Sequence, residues 1–329
     1  MERLRSYGIF SDETLRAVEA VATTQASFET YHQYFASLSM PKPIIFKASR
    51  RRSVPVLDIP SRKKLAKGTI VIHLPMANPL DQNQQFHIAT IASALPNYRI
   101  IAFGNPSGSP YAYRGQNREL SELFGIAFTS KRRALVSPEL EYLHKRGITN
   151  AHHVGYSFGA HKAVVEAQYL GDEVASLTLV DPVAHPRGIK QLIHDFQSTF
   201  TPMGKYVDRT NLNIYFDARR DAAKTAHHKA ALRRPISIAI GIFMARFDFM
   251  KNISKLLVND SKLKIAVAWG SKSELGNDAH MNTSLHQLAT QHPSRVQRMR
   301  LKDDAHALAN DIHLYAALVY EALQRYNAK

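Results

Sequence analysis

The chain has 329 residues, of which 45% are apolar, enough for one large domain with an insertion or for two smaller domains with cores of their own. It has no cysteine, which excludes disulfides and thiolate metal sites; no apolar run reaches the ~18 residues of a membrane span, and Met1–Ser6 leads to no apolar stretch, so a soluble, cytoplasmic protein without a secretory signal is expected. The net charge of +16 comes from scattered clusters (Arg50–Arg52, Lys63-Lys64, Lys131–Arg133, Arg219-Arg220, Arg233-Arg234) with no aromatic ladder or nucleic-acid-binding motif between them, which predicts solvated basic faces, nonspecific attraction to anionic surfaces and no specific nucleic-acid partner.

Residues 11–38 carry an imperfect helical stripe with Ser11 as its N-cap. Ile44–Phe46 and Val54–Leu57 are β-rich and flank an arginine tip, as in a hairpin, and Pro55 argues for the sheet edge. Gly68–His73 and Tyr98–Phe103 are continuous apolar runs of the fully buried kind, separated by a helical stretch over Asp81–Leu95. Residues 118–145 are mostly helical, and Ile148–Val154 can form a short buried strand.

That strand leads into Gly155-Tyr156-Ser157-Phe158-Gly159, and Ala160–Leu170 then has a helical stripe. This is G-x-S-x-G between a strand and a helix, the arrangement of a nucleophile elbow. A serine on so sharp a turn needs small neighbours, and the following helix start presents N–H groups where an oxyanion would form. A passive serine in a glycine-rich turn is the plainer reading, and the strand and helix on either side weigh against it.

Val174–Val180 is a further buried strand, closed by Asp181-Pro182. Residues 186–260 break the strand–helix rhythm and look helical. The rhythm returns with Leu263–Trp269, a helix over His280–Gln291, a last strand at Val296–Leu301, and an amphipathic helix over residues 309–326. Such alternation predicts an α/β fold: a mostly parallel central sheet with helices on both faces. Reactive groups in such sheets gather beyond the carboxyl ends of the strands, where Ser157, Asp181, Gly270 and His306 all fall.

The chain from about residue 41 to 326 resembles the α/β-hydrolase fold superfamily, whose triads run serine, acid, histidine along the chain. The resemblance implies a hydrolase core over 41–185 and 261–329, a helical segment over 1–40, and a cap inserted over 186–260. It implies Ser157 as nucleophile and His306, in the loop after the last strand, as base, although Ala305 stands where the superfamily usually has glycine. Glu274, in Gly270-Ser271-Lys272-Ser273-Glu274, is the preferred acid; Asp181 is the alternative and Asp278 a third. The oxyanion hole would take one N–H from Phe158 and a second from the segment His73-Leu74-Pro75-Met76, where Pro75 has none and Met76 is preferred. His73 is read as shaping that segment, and His152 and His153 as packing or bonding locally. Phe196, Phe200, Met203, Phe243, Met244, Phe247, Phe249 and Met250 would line an apolar acyl pocket or form the insertion's own core.

The implied activity is hydrolysis of a carboxylic ester or related acyl substrate, a small molecule, through an acyl-enzyme and without metal or organic cofactor. A protein that keeps this fold but only binds its ligand is the alternative, and an anionic-surface partner ranks third.

Overall fold

The computed structural model describes residues 1–29, 31–49, 52–76, 80, 82–104, 120–128, 132–184, 188, 235–306 and 311–327. Its strands are β1 (Ile44–Lys47), β2 (Ser53–Ile59), β3 (Gly68–His73), β4 (Tyr98–Phe103), β5 (Ala151–Tyr156), β6 (Val174–Val180), β7 (Lys264–Gly270) and β8 (Val296–Leu301). They form one eight-stranded sheet in the order β1-β2-β4-β3-β5-β6-β7-β8. β1 and β2 pair antiparallel, as do β2 and β4; all later neighbours are parallel.

The described helices are α1 (Glu2–Ser6), α2 (Asp12–Ala26), α3 (Tyr31–Ser37), α4 (Gln82–Ala94), α5 (Leu120–Phe128), α6 (Arg133–Lys145), α7 (Phe158–Leu170), α8 (Pro235–Arg246), α9 (Phe249–Asn259), α10 (Asp278–Gln291) and α11 (Ile312–Asn327). Side-chain alternation along the strands divides the core between two layers. Ala266 and Ala268 of β7 face the layer of α2, α4 and α11, whereas Ile265, Val267 and Trp269 face that of α7, α9 and α10. The short alanines let α11 pack close, and the bulkier residues fill the other side.

Several boundaries differ from the sequence expectation, three of them with consequences for the fold. The helical stretch 11–38 is two helices: Ser11 caps α2 through Thr14 N–H as expected, but α2 ends at Ala26. The stretch 118–145 likewise divides into α5 and α6. The strand before the elbow occupies residues 151–156, so Tyr156 belongs to it, and Asn150 just before it has φ 52, a turn conformation no strand tolerates.

Of the expected cap, residue 188 and residues 235–260 are described. Phe243, Met244, Phe247, Phe249 and Met250 of this part are buried in one core with Val164, Val165 and other residues of α7. Their burial makes them packing against the sheet layer. Phe196, Phe200, Met203 and Arg219, Arg220, Arg233 and Arg234 lie outside the described residues.

Candidate active site

Ser157 joins β5 directly to α7 with φ 55 and ψ −120, a backbone conformation costing a non-glycine residue on the order of 1–3 kcal/mol. Two close approaches hold it there. A Cβ on Gly155 would strike the Gly159 carbonyl, and one on Gly159 would strike the carbonyl of His73 at the end of β3. Both positions of the motif therefore require glycine for space. The Ser157 N–H also donates to Val180 O at 2.9 Å, tying the turn to the end of β6.

Around this serine the structure brings together three side chains from three strand ends. Ser157 Oγ lies 2.9 Å from His306 Nε2, and His306 Nδ1 lies 2.8 Å from Asp181 Oδ2. Exposure is 4% for Ser157, 6% for His306 and 0% for Asp181. A carboxylate only accepts hydrogen bonds, so Nδ1 carries the proton and Nε2 is left to accept from the serine hydroxyl. Asp181 has φ 42, and its N–H donates to Ala268 O at 2.7 Å, which fixes the carboxylate beyond the end of β6.

The carboxylate at His306 is thus Asp181, and Glu274, the preferred acid from sequence, is exposed at the surface. The loop after β7 turns its small residues toward the site. A Cβ on Gly270 would strike the Asp304 carbonyl, and one on Gly276 would stand 2.9 Å from Asp181 Oδ1. Gly276 N–H donates to Ser273 Oγ at 3.1 Å, closing a tight turn that leaves Glu274 outside. Asp278 is held elsewhere, accepting from Arg300 at 2.8 and 2.6 Å and from Trp269 Nε1 at 2.8 Å. The Arg300 bonds in particular hold its carboxyl below the usual range.

The loop carrying His306 is anchored by residues that sequence reasoning passed over. Tyr156 donates its hydroxyl to His306 O at 2.6 Å, and the two rings pack with centroids 5.5 Å apart. Asp304 accepts from Arg3 Nη2 at 2.5 Å and from the Tyr7 hydroxyl, so the N-terminal segment braces the loop. Burial raises the Asp304 carboxyl above its ordinary value, against the pull of these two partners. The only advance signal for Tyr156 was its place inside the G-x-S-x-G motif.

Phe158 is the first residue of α7 and fully buried, so its backbone N–H belongs to the unpaired set at the start of that helix, beside Ser157. Met76 sits in a turn after Leu74-Pro75, half-buried against the core that includes α7. The remaining histidines near the elbow have other surroundings. His152 Nδ1 is 2.8 Å from Ser176 Oγ. His161, on α7, places its ring nitrogens 3.3 Å from Ser157 O and 3.1 Å from Val183 O, and burial pushes its pKa down to about 4. His73 and His153 face α7 from the sheet, with Glu166 against them.

No protein-family model and no curated protein matches the sequence. Solved structures do match in fold, and the class they define is the α/β hydrolase. The chain has that fold. An α/β-hydrolase enzyme, MGS-M2, from a Medee basin deep-sea metagenome library superposes with a TM-score of 0.57 at 13% identity over 87% of this chain and 98% of that one. The enol-lactonase of Burkholderia xenovorans LB400 gives 0.56 at 11% identity, covering 83% and 96%. A thermophilic esterase of Thermogutta terrifontis gives 0.55 at 12%, covering 88% and 100%.

Proposed function

We propose that this protein is a serine hydrolase that cleaves carboxylic esters or related acyl compounds through an acyl-enzyme. The observation that carries the reading is the unbroken relay Ser157 Oγ–His306 Nε2 and His306 Nδ1–Asp181 Oδ2, at 2.9 and 2.8 Å. A serine hydroxyl becomes a competent nucleophile only with such a base and an anion behind it.

In the first step Ser157 Oγ bonds to the acyl carbon while His306 Nε2 takes the hydroxyl proton. The carbonyl electron pair moves to oxygen, and the N–H of Phe158, with a second donor from Met76, stabilises that anion. As the carbonyl re-forms, the bond to the leaving oxygen breaks and His306 returns the proton to it. Water then repeats the sequence on the acyl-Ser157 ester, releasing the acid and the free serine. Asp181 holds the Nδ1 proton and stabilises the imidazolium. The fold neighbours include an esterase and an enol-lactonase, which supports this substrate class.

A fluorophosphonate reagent tests the reading directly. The folded protein is expected to be labelled at Ser157, and Ser157→Ala is expected to lose the label. It should also turn over p-nitrophenyl esters, with Ser157→Ala reducing that rate on the order of 10³-fold or more. Folded wild-type protein that neither labels nor turns over any acyl chain length would leave a ligand-binding protein instead.

A further inference from the structure

A second group of ionisable side chains lies under the elbow, and the relay has no use for it. His73 at the end of β3 and His153 on β5 reach the sheet face covered by α7, where Glu166 meets them, and all three are fully buried. Three of their atoms form a near-equilateral triangle. His73 Nε2 is 3.2 Å from His153 Nδ1, His73 Nε2 is 3.2 Å from Glu166 Oε2, and His153 Nδ1 is 3.3 Å from Glu166 Oε2. Among the described residues, these three make the one group of histidine and carboxylate side chains whose donor atoms converge in this way.

Hydrogen bonding accounts for only one side of the triangle, that between His73 Nε2 and His153 Nδ1. Neither Glu166 oxygen has a hydrogen-bond partner among the described residues, although Oε2 stands close to two imidazole nitrogens. The nearby cation, Lys162, is engaged with Glu139 at 2.5 Å. A buried carboxylate left this way costs several kcal/mol unless it is protonated or meets a cation. A tetrahedral zinc-class ion bound at ~2.0–2.1 Å holds its donors about 3.3 Å apart, which is the spacing here.

We infer that His73 Nε2, His153 Nδ1 and Glu166 Oε2 bind one divalent zinc-class ion, with water at the fourth vertex. Two nitrogen donors and one carboxylate suit such an ion, and its charge supplies the counterpart that Glu166 lacks. In the bound state His73 Nδ1 and His153 Nε2 carry the ring protons; neither has a protein acceptor among the described residues. The ion would tie β3, β5 and α7 together immediately behind the elbow. His73 is also the residue whose carbonyl abuts Gly159 and whose chain continues to Leu74 and Met76. The site is therefore structural, taken up on folding, and it stands whether or not Ser157 acts as a nucleophile.

The test compares wild-type protein with Glu166→Gln, both untagged, produced in zinc-supplemented medium and dialysed against a chelator while folded. Elemental analysis is expected to find about one zinc per wild-type chain, released only on unfolding, and under roughly a tenth of that in Glu166→Gln. Wild-type protein refolded with Zn²⁺ should melt several degrees higher than protein refolded with chelator, and Co²⁺ in its place should give tetrahedral visible absorption. Equal zinc in both chains would mean adventitious binding to other histidines and would overturn the inference. So would wild-type protein that holds no zinc and melts at the same temperature with and without Zn²⁺. The last comparison needs only wild-type protein and decides the matter even if Glu166→Gln fails to fold.

Discussion

The elbow has a histidine–carboxylate group on each side of it, built from the same side chains to opposite effect. At the strand ends, one histidine stands between two oxygens, and each ring nitrogen has its own partner: Ser157 Oγ at 2.9 Å and Asp181 Oδ2 at 2.8 Å. Under α7, two histidines and one carboxylate converge on each other at 3.2–3.3 Å, and the carboxylate has no hydrogen-bond donor among the described residues. A linear array assigns a direction to proton movement, because each atom has one role. A triangle of donors assigns none; it is a receptacle for a charge. Residue type alone would not separate the two, and connectivity does.

The sharpest way to break this contrast is to remove the carboxylate from the linear group. Asp181→Asn is expected to lower kcat/KM for the best ester roughly 10³- to 10⁴-fold, because an amide at that position favours the wrong imidazole tautomer. Glu274→Gln, an exposed change in the neighbouring loop, should stay within about twofold. If Glu274→Gln carried the large effect and Asp181→Asn the small one, His306 would have a different working partner from the one it has at rest.

These two residues also mark how far the sequence could be read. The motif, the strand–helix rhythm and the position of His306 after the last strand were all visible in one dimension, because each is a local pattern or an order of elements. Which carboxylate meets His306 was not, because two loops after two adjacent strands each offered one. The choice depends on the turn Ser273–Gly276 and on Asp181 having φ 42, which is backbone geometry rather than composition. The brace on Asp304 from Arg3 and Tyr7 spans nearly the whole chain, and nothing local announces it. The triangle was harder still. His73, His153 and Glu166 come from two strands and a helix, and only the parallel register of β3 with β5, which pairs Val71 with His153 and His73 with Gly155, brings the two rings together.

Burial provides a second comparison, with a smaller expected effect. His87 and His161 are buried, and burial pushes the pKa of each to about 4 from the ordinary 6.5. The unfolded chain therefore binds these protons at higher pH than the folded one. The stability they retain is fully present above pH ~6.5 and is lost as the pH falls toward about 4, by on the order of 3 kcal/mol per histidine once both states are protonated. Urea midpoints measured from pH 7 down to 4.5 should decline steadily, and His87→Gln should flatten the decline. A midpoint that holds or rises over this range would mean that these rings are not kept neutral by the fold.

The smallest effect is expected from the residue that connects the elbow to the histidine loop. Tyr156 gives its hydroxyl to His306 O at 2.6 Å, and its ring packs tilted against the imidazole with centroids 5.5 Å apart. Tyr156→Phe keeps the ring and removes one buried hydrogen bond, worth about 1 kcal/mol. If that bond does no more than stabilise the fold, the melting temperature drops and kcat and KM stay as they were. If it sets the pose of the imidazole, kcat should fall roughly three- to tenfold at unchanged KM, because the reaction is steeply sensitive to the placement of the base while ground-state binding is not. The second outcome is the expected one. The loop has no glycine before His306, and the tyrosine inside the elbow motif holds the histidine's own carbonyl instead.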